Sequence, residues 1–181
     1  MTPRSNALFC ILALAALPAC EDEHEHGHDH ESTNEEACEH MVSGPAVAIV
    51  AADEGGEPPG VGSDHRRYDI RLPVSADEGS GMGSGSMERG FEGSVVFNAD
   101  EAGEHVLFFD VEAVVSVFAQ DGTEVARSGM IMPVAECPED VFHGLVYPLA
   151  VGPYTIRIGS SMHENVKLVI EEAESHDHGH D

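Results

Sequence analysis

From residue 43 to residue 172, apolar and polar positions alternate in short runs. This is the period of strands that bury one face. Ala46 to Val50 forms a first run, followed by a turn-rich stretch from Asp53 to Asp64. Tyr68, Ile70 and Leu72 then share one face, with Asp69 and Arg71 between them. Gly93 to Asn98 and His105 to Asp110 read as strands joined by Ala99-Asp100-Glu101-Ala102-Gly103. Val114 to Ala119 and Thr123 to Arg127 flank Gln120-Asp121-Gly122, and Asp-Gly between apolar runs is a strong hairpin signal. Gly144 to Ala150 and Tyr154 to Ile158, around Gly152-Pro153, predict a second hairpin, and Val166 to Ile170 closes the series. No window sustains an apolar period of 3.6 residues. About eight or nine closely spaced strands predict an all-β fold, a single β-sandwich of jelly-roll or immunoglobulin-like type.

The first residues follow a different pattern. Arg4 precedes an apolar run from Ala7 to Leu17, too short for a membrane span and suited to the apolar core of an export signal. The run ends in Leu17-Pro18-Ala19-Cys20. This resembles the bacterial lipobox, which implies that residues 1–19 are a lipoprotein signal peptide and that Cys20 is acylated. The implied location is the bacterial cell envelope, lipid-anchored, at the periplasmic or outer-membrane face.

Charge narrows the partners. The net charge is −26 with histidine neutral, which argues against nucleic acid and anionic membrane surfaces. Glu21 to Glu39 holds nine acids and no Lys or Arg. Such a stretch has little apolar surface to offset its ordering entropy, so residues 20–42 are predicted to form a disordered acidic tether. Residues 173–181 are the matching C-terminal tail.

After signal removal and acylation, Cys38 and Cys137 remain as an even pair in an oxidising setting. A disulfide is expected between them, with a pair of thiolate metal ligands as the alternative. It would close a loop of about 100 residues, worth up to about 4.7 kcal/mol in the chain-entropy description.

Seven of the twelve histidines lie in two tracts: His24, His26, His28 and His30, and His176, His178 and His180. In extended chain the members of each tract share a face. Neutral imidazole is a ligand for zinc, nickel and copper(II). Flanking acids favour an approaching cation and hydrogen-bond to imidazole. The tracts resemble the flexible His-rich loops of periplasmic zinc-binding proteins. A folded alternative is a three-histidine site of His40, His65 and His143, gathered by the expected disulfide. Met130 and Met132 share a strand face and Met82 and Met87 share a Gly/Ser loop. Thioethers suit copper(I), while core filling is the plainer role for the first pair. Paired acids such as Glu139-Asp140 and Glu171-Glu172 read as solvated faces. No nucleophile elbow, metalloprotease motif or phosphate loop is visible, so no enzyme activity is expected.

The stretches Ala102 to Phe108, Val115 to Thr123 and Leu149 to Ile156 resemble accessory β-sandwiches of exported bacterial proteins, such as the pre-peptidase C-terminal type. That resemblance implies a binding or supporting module and carries no catalytic residue. The expected function is a lipid-anchored envelope protein that holds divalent transition metal on its His-rich tails, as a buffer or metal donor. The alternative is an envelope interaction module for a protein or glycan partner, with the tails as spacers.

Overall fold

The structure is a computed structural model and describes residues 32–75 and 90–173. The signal, Cys20, both histidine tracts and the Met82–Met87 loop lie outside the described residues.

Among the described residues, eleven strands form two sheets. They are β1 (Ala46–Val50), β2 (Gly60–Val61), β3 (Arg67–Arg71), β4 (Phe91–Ala99), β5 (Gly103–Phe109) and β6 (Val114–Ala119). The chain continues through β7 (Glu124–Val125), β8 (Gly129–Ile131), β9 (His143–Leu149), β10 (Gly152–Ser161) and β11 (Asn165–Glu172). One sheet has the order β1-β3-β11-β5-β9-β8 and the other β2-β4-β10-β6-β7. The β1–β3 and β2–β4 pairs are parallel and the remaining pairs antiparallel. The fold is the all-β sandwich that the alternation predicts.

The main core lies between the sheets. Tyr68, Ile70 and Leu72 meet Leu168 and Ile170 from the first sheet and Phe97, Ile156 and Ile158 from the second. Each of these strands contributes every second residue, the pleat that the sequence pattern records. The predicted Asp-Gly hairpin joins β6 to β7, with Gly122 at φ 83° in the turn. The second predicted hairpin does not form. β9 and β10 belong to different sheets, so the chain turns a corner at Ala150 and Val151. The Tyr154 hydroxyl closes that corner, accepting from the Ala150 N–H at 2.9 Å and donating to its carbonyl at 3.0 Å.

The larger departure is a helix, α1 (Thr33–Ser43), inside the stretch predicted to be a disordered tether. Its start is a capping box. The Ser32 hydroxyl accepts from the Glu35 N–H while the Glu35 carboxylate accepts from the Ser32 N–H. Ala37, Cys38 and Met41 make a narrow buried stripe on the outer face of the first sheet. There they meet Val106, Phe108 and Val169, with Val134 and Val141 at the side. The expected disulfide is present and fastens this helix. Cys38 bonds to Cys137 with their Cα atoms 5.8 Å apart. At the other end Arg67 donates to the Met41 carbonyl at 2.8 Å, satisfying one orphan of the last turn. The acidity of residues 32–42 argued for solvation, yet three apolar side chains, one cap and one covalent tie suffice. The folded unit therefore begins at α1, ahead of residue 43. Among the described residues, no helix is long and apolar enough to cross a membrane.

Candidate metal centre

Three elements converge at the C-terminal end of β11. Helix α1 supplies His40, the loop between β2 and β3 supplies His65, and β11 supplies Glu171. One ligand atom from each lies within 4.8 Å of the other two. The His40 Nδ1 and the Glu171 Oε1 are hydrogen-bonded at 2.6 Å. The His65 Nδ1 lies 4.0 Å from the Glu171 Oε2 and 4.0 Å from the Glu36 Oε1. The His40 and His65 rings are tilted at 57° with centroids 5.1 Å apart. Glu36 and His40 are four residues apart on α1, so they share one helix face.

The three groups differ in exposure. The Glu171 side chain is 3% exposed, His40 15% and His65 66%. The site is thus anchored at its carboxylate and open at His65. Burial pushes the Glu171 carboxyl above the ordinary glutamate range, while the His40 hydrogen bond and charge pull it back. A buried carboxylate is expensive unless paired, and His40 supplies the pair.

The loop that holds His65 is braced. The Tyr68 hydroxyl accepts from the Gly62 N–H at 2.8 Å and donates to the Asp64 Oδ1 at 3.2 Å. The other Asp64 oxygen pairs with Arg66 at 2.6 Å. His65 itself sits at φ 53°, in the left-handed region. Such a conformation costs a side-chain-bearing residue about 1–2 kcal/mol, and observed strain of this kind clusters at functional positions.

The donor set is two imidazoles and one carboxylate, with a second carboxylate at the rim. It suits zinc and its neighbours among the divalent transition metals. A tetrahedral ion with bonds of about 2.1 Å sets its donor atoms about 3.4 Å apart. The present separations bracket that value, from 2.6 Å for His40–Glu171 to the 4.8 Å outer limit.

His143, the third expected ligand, is not at this site. In β9 it shares the face of Leu145, Tyr147 and Leu149, which point between the sheets. Its ring is packed by Phe109 and Phe142, the residue is 4% exposed, and its Nε2 has no hydrogen-bond partner. Burial, with the Arg127 charge adding, holds its pKa below the ordinary histidine value. The strand period sends it to the opposite face of the sheet from Glu171. The expectation that Glu171 lies on a solvated face fails for the same reason. Ile170 faces the core between the sheets, so Glu171 faces outward, where α1 covers it. Sequence reading could have found Glu171 through Val169, an apolar residue on the outer face that announces a covering element. Met130 and Met132 are both more than half exposed and fill no core.

No family model matches the chain, and no curated protein matches it.

Proposed function

We propose that this protein binds a divalent transition metal, with zinc, nickel or copper(II) as the class, at a folded site formed by His40, His65 and Glu171. The juxtaposition of these three side chains from three elements carries the reading. The seven histidines of the two tracts extend it. In sequence, His30 precedes Glu36 by six residues and His176 follows Glu171 by five. In this reading the tracts gather metal and the folded site retains it, in a lipid-anchored envelope protein acting as buffer or donor. Acylation of Cys20 belongs to the same proposal.

The test is metal analysis and chelator-competition titration of the full chain. Its comparators are a His40→Ala/His65→Ala variant and a variant with all tract histidines replaced by alanine. The reading expects one tight equivalent that survives loss of the tracts and disappears with His40 and His65. Equal titration curves for wild type and His40→Ala/His65→Ala would overturn the folded site and return the metal to the tracts.

A second reading, an interaction module, has one observation in its favour. Edge strand β1 is uncharged along Ala46-Val47-Ala48-Ile49-Val50 and, among the described residues, pairs only with β3. Beside it, Ala48, Ile49, Val50 and Val166 line a cavity of about 530 Å³ whose rim carries Asp69, Arg71, Asp110, Asn165 and Lys167. An extended peptide adding to that edge would gain main-chain hydrogen bonds and a pocket that is apolar along β1 and charged along its rim. Binding of a partner unaffected by charged substitution at Val50 would remove this reading.

A further inference from the structure

We propose that the Cys38–Cys137 disulfide and the bound metal are two clamps on one helix, so that the redox state of the cysteines sets metal affinity and the metal protects the disulfide. The inference rests on the metal reading above and concerns its regulation.

Helix α1 carries half of the candidate donors. Glu36 and His40 lie two residues before and two after Cys38. The other donors, His65 and Glu171, belong to the sandwich. The site is therefore complete only while α1 is docked. Apart from the disulfide, little holds it there. Ala37 and Met41 are its other buried side chains, and Arg67 ties its last turn. His40 also bonds Glu171, and His65 lies beside Glu36 and the His40 ring, and these are the contacts that coordination would replace. A helix of eleven residues is marginal on its own in water, so it persists by docking. Opening the disulfide frees a loop spanning a sequence separation of 99 and lets α1 depart with Glu36 and His40. Binding that requires a docked helix weakens by the fraction of time the helix is docked. Linkage makes the effect reciprocal, so metal that needs α1 docked holds the two sulfurs together.

The chemistry balances with a dithiol reductant of the thioredoxin class. Cys137 is the more exposed partner, Cys38 being 9% exposed. A reductant thiolate attacks the Cys137 sulfur, the S–S bond breaks, and Cys38 leaves as a thiolate. The second reductant thiol then displaces Cys137. Two electrons have passed to the protein, both cysteines end as thiols, and the reductant ends as a disulfide.

The test uses zinc and the full chain with all tract histidines replaced by alanine, so that only the folded site reports. Zinc affinity is compared between the oxidised protein and its Cys38→Ala/Cys137→Ala variant, which offers no thiolate ligands. The oxidised protein should bind at least about tenfold tighter, a difference of about 1.4 kcal/mol. A second measurement needs no variant of the cysteines. The rate of disulfide reduction by a phosphine, which passes the same two electrons and becomes a phosphine oxide by taking oxygen from water, is followed with and without zinc. Saturating zinc should slow it by about tenfold or more. Equal affinities and equal reduction rates, with zinc binding still lost in His40→Ala/His65→Ala, would overturn the coupling and leave the metal site standing. Loss of no binding in His40→Ala/His65→Ala would overturn both. If the cysteine-free variant fails to fold, the reduction rate alone decides.

Discussion

The two faces of the six-stranded sheet differ in what makes them. The inner face packs on the second sheet through a large aliphatic and aromatic cluster, and strand alternation alone builds it. The outer face has a smaller cluster that exists only because α1 covers Val106, Phe108 and Val169. Both faces bury titratable groups. His105 and His143 point inward with no hydrogen bond at their Nε2 atoms, His105 lying 3.8 Å from Glu172, whereas Glu171 points outward into a hydrogen bond with His40. The inner face supplies stability from burial. The outer face gives up some burial to hold a polar cluster beneath α1. A protein whose stability sits on one face of a sheet can keep its chemistry on the other.

That contrast can be broken from either side. The largest effect is expected inside. Phe97→Ala empties a fully buried ring site between the sheets and should lower stability by about 3–5 kcal/mol in urea unfolding. A loss under about 1 kcal/mol would mean that the inner core is looser than its burial implies. Next comes the outer face. Replacing Cys38 and Cys137 together by alanine should lower stability by about 2–4 kcal/mol. The same change should raise hydrogen exchange across α1 while leaving β4 and β10 protected, which separates local from global loss.

A smaller effect sharpens the comparison at the polar pair. His40→Ala leaves the Glu171 carboxyl buried without its partner and should cost about 1–3 kcal/mol at neutral pH. Replacing both by leucine should recover most of that loss, because no orphaned charge remains. Equal losses in the single and double variants would show that the hydrogen bond contributes nothing beyond packing.

The smallest effect is in pH. His143 is held neutral by burial, with Arg127 reinforcing and Glu112 opposing. Its folded pKa is depressed, so the unfolded chain takes the proton more readily. Its contribution is fully present above the unfolded value of about 6.5 and declines as pH falls towards the folded value. Denaturation midpoints at about pH 7.5 and about pH 5.5 should therefore differ more for wild type than for His143→Leu. Identical differences would show that His143 does not titrate across this window.

Much of the sandwich was legible because alternation is a local signal. The runs at Tyr68–Leu72, Gly93–Asn98, His105–Asp110, Val114–Ala119 and Val166–Ile170 each became a strand or the greater part of one. The disulfide was legible from cysteine number. Helix α1 was not, since only Ala37, Cys38 and Met41 are buried and no long apolar period exists. Ser32 and Glu35 did carry a capping-box spacing, which acidity overshadowed. Nor was the partner of His40 legible. Which face of β9 or β11 looks inward depends on register against strands far away in sequence, and that register separates His143 from Glu171. The corner between β9 and β10 escaped because a two-residue connection such as Ala150-Val151, followed by Gly-Pro, serves a hairpin and a sheet-to-sheet crossing equally well.

The position of β11 has a consequence for assembly. It lies between β3 and β5, though it is the last strand of the described chain. Until it inserts, β1 and β3 have no link to β5, β9 and β8 within their sheet. The sheet therefore closes by pairings that are distant in sequence, the kind that form slowly. Glu171 arrives with that closing strand, so in the proposed reading a metal ion held beside it is a molecular receipt that the sandwich has finished folding.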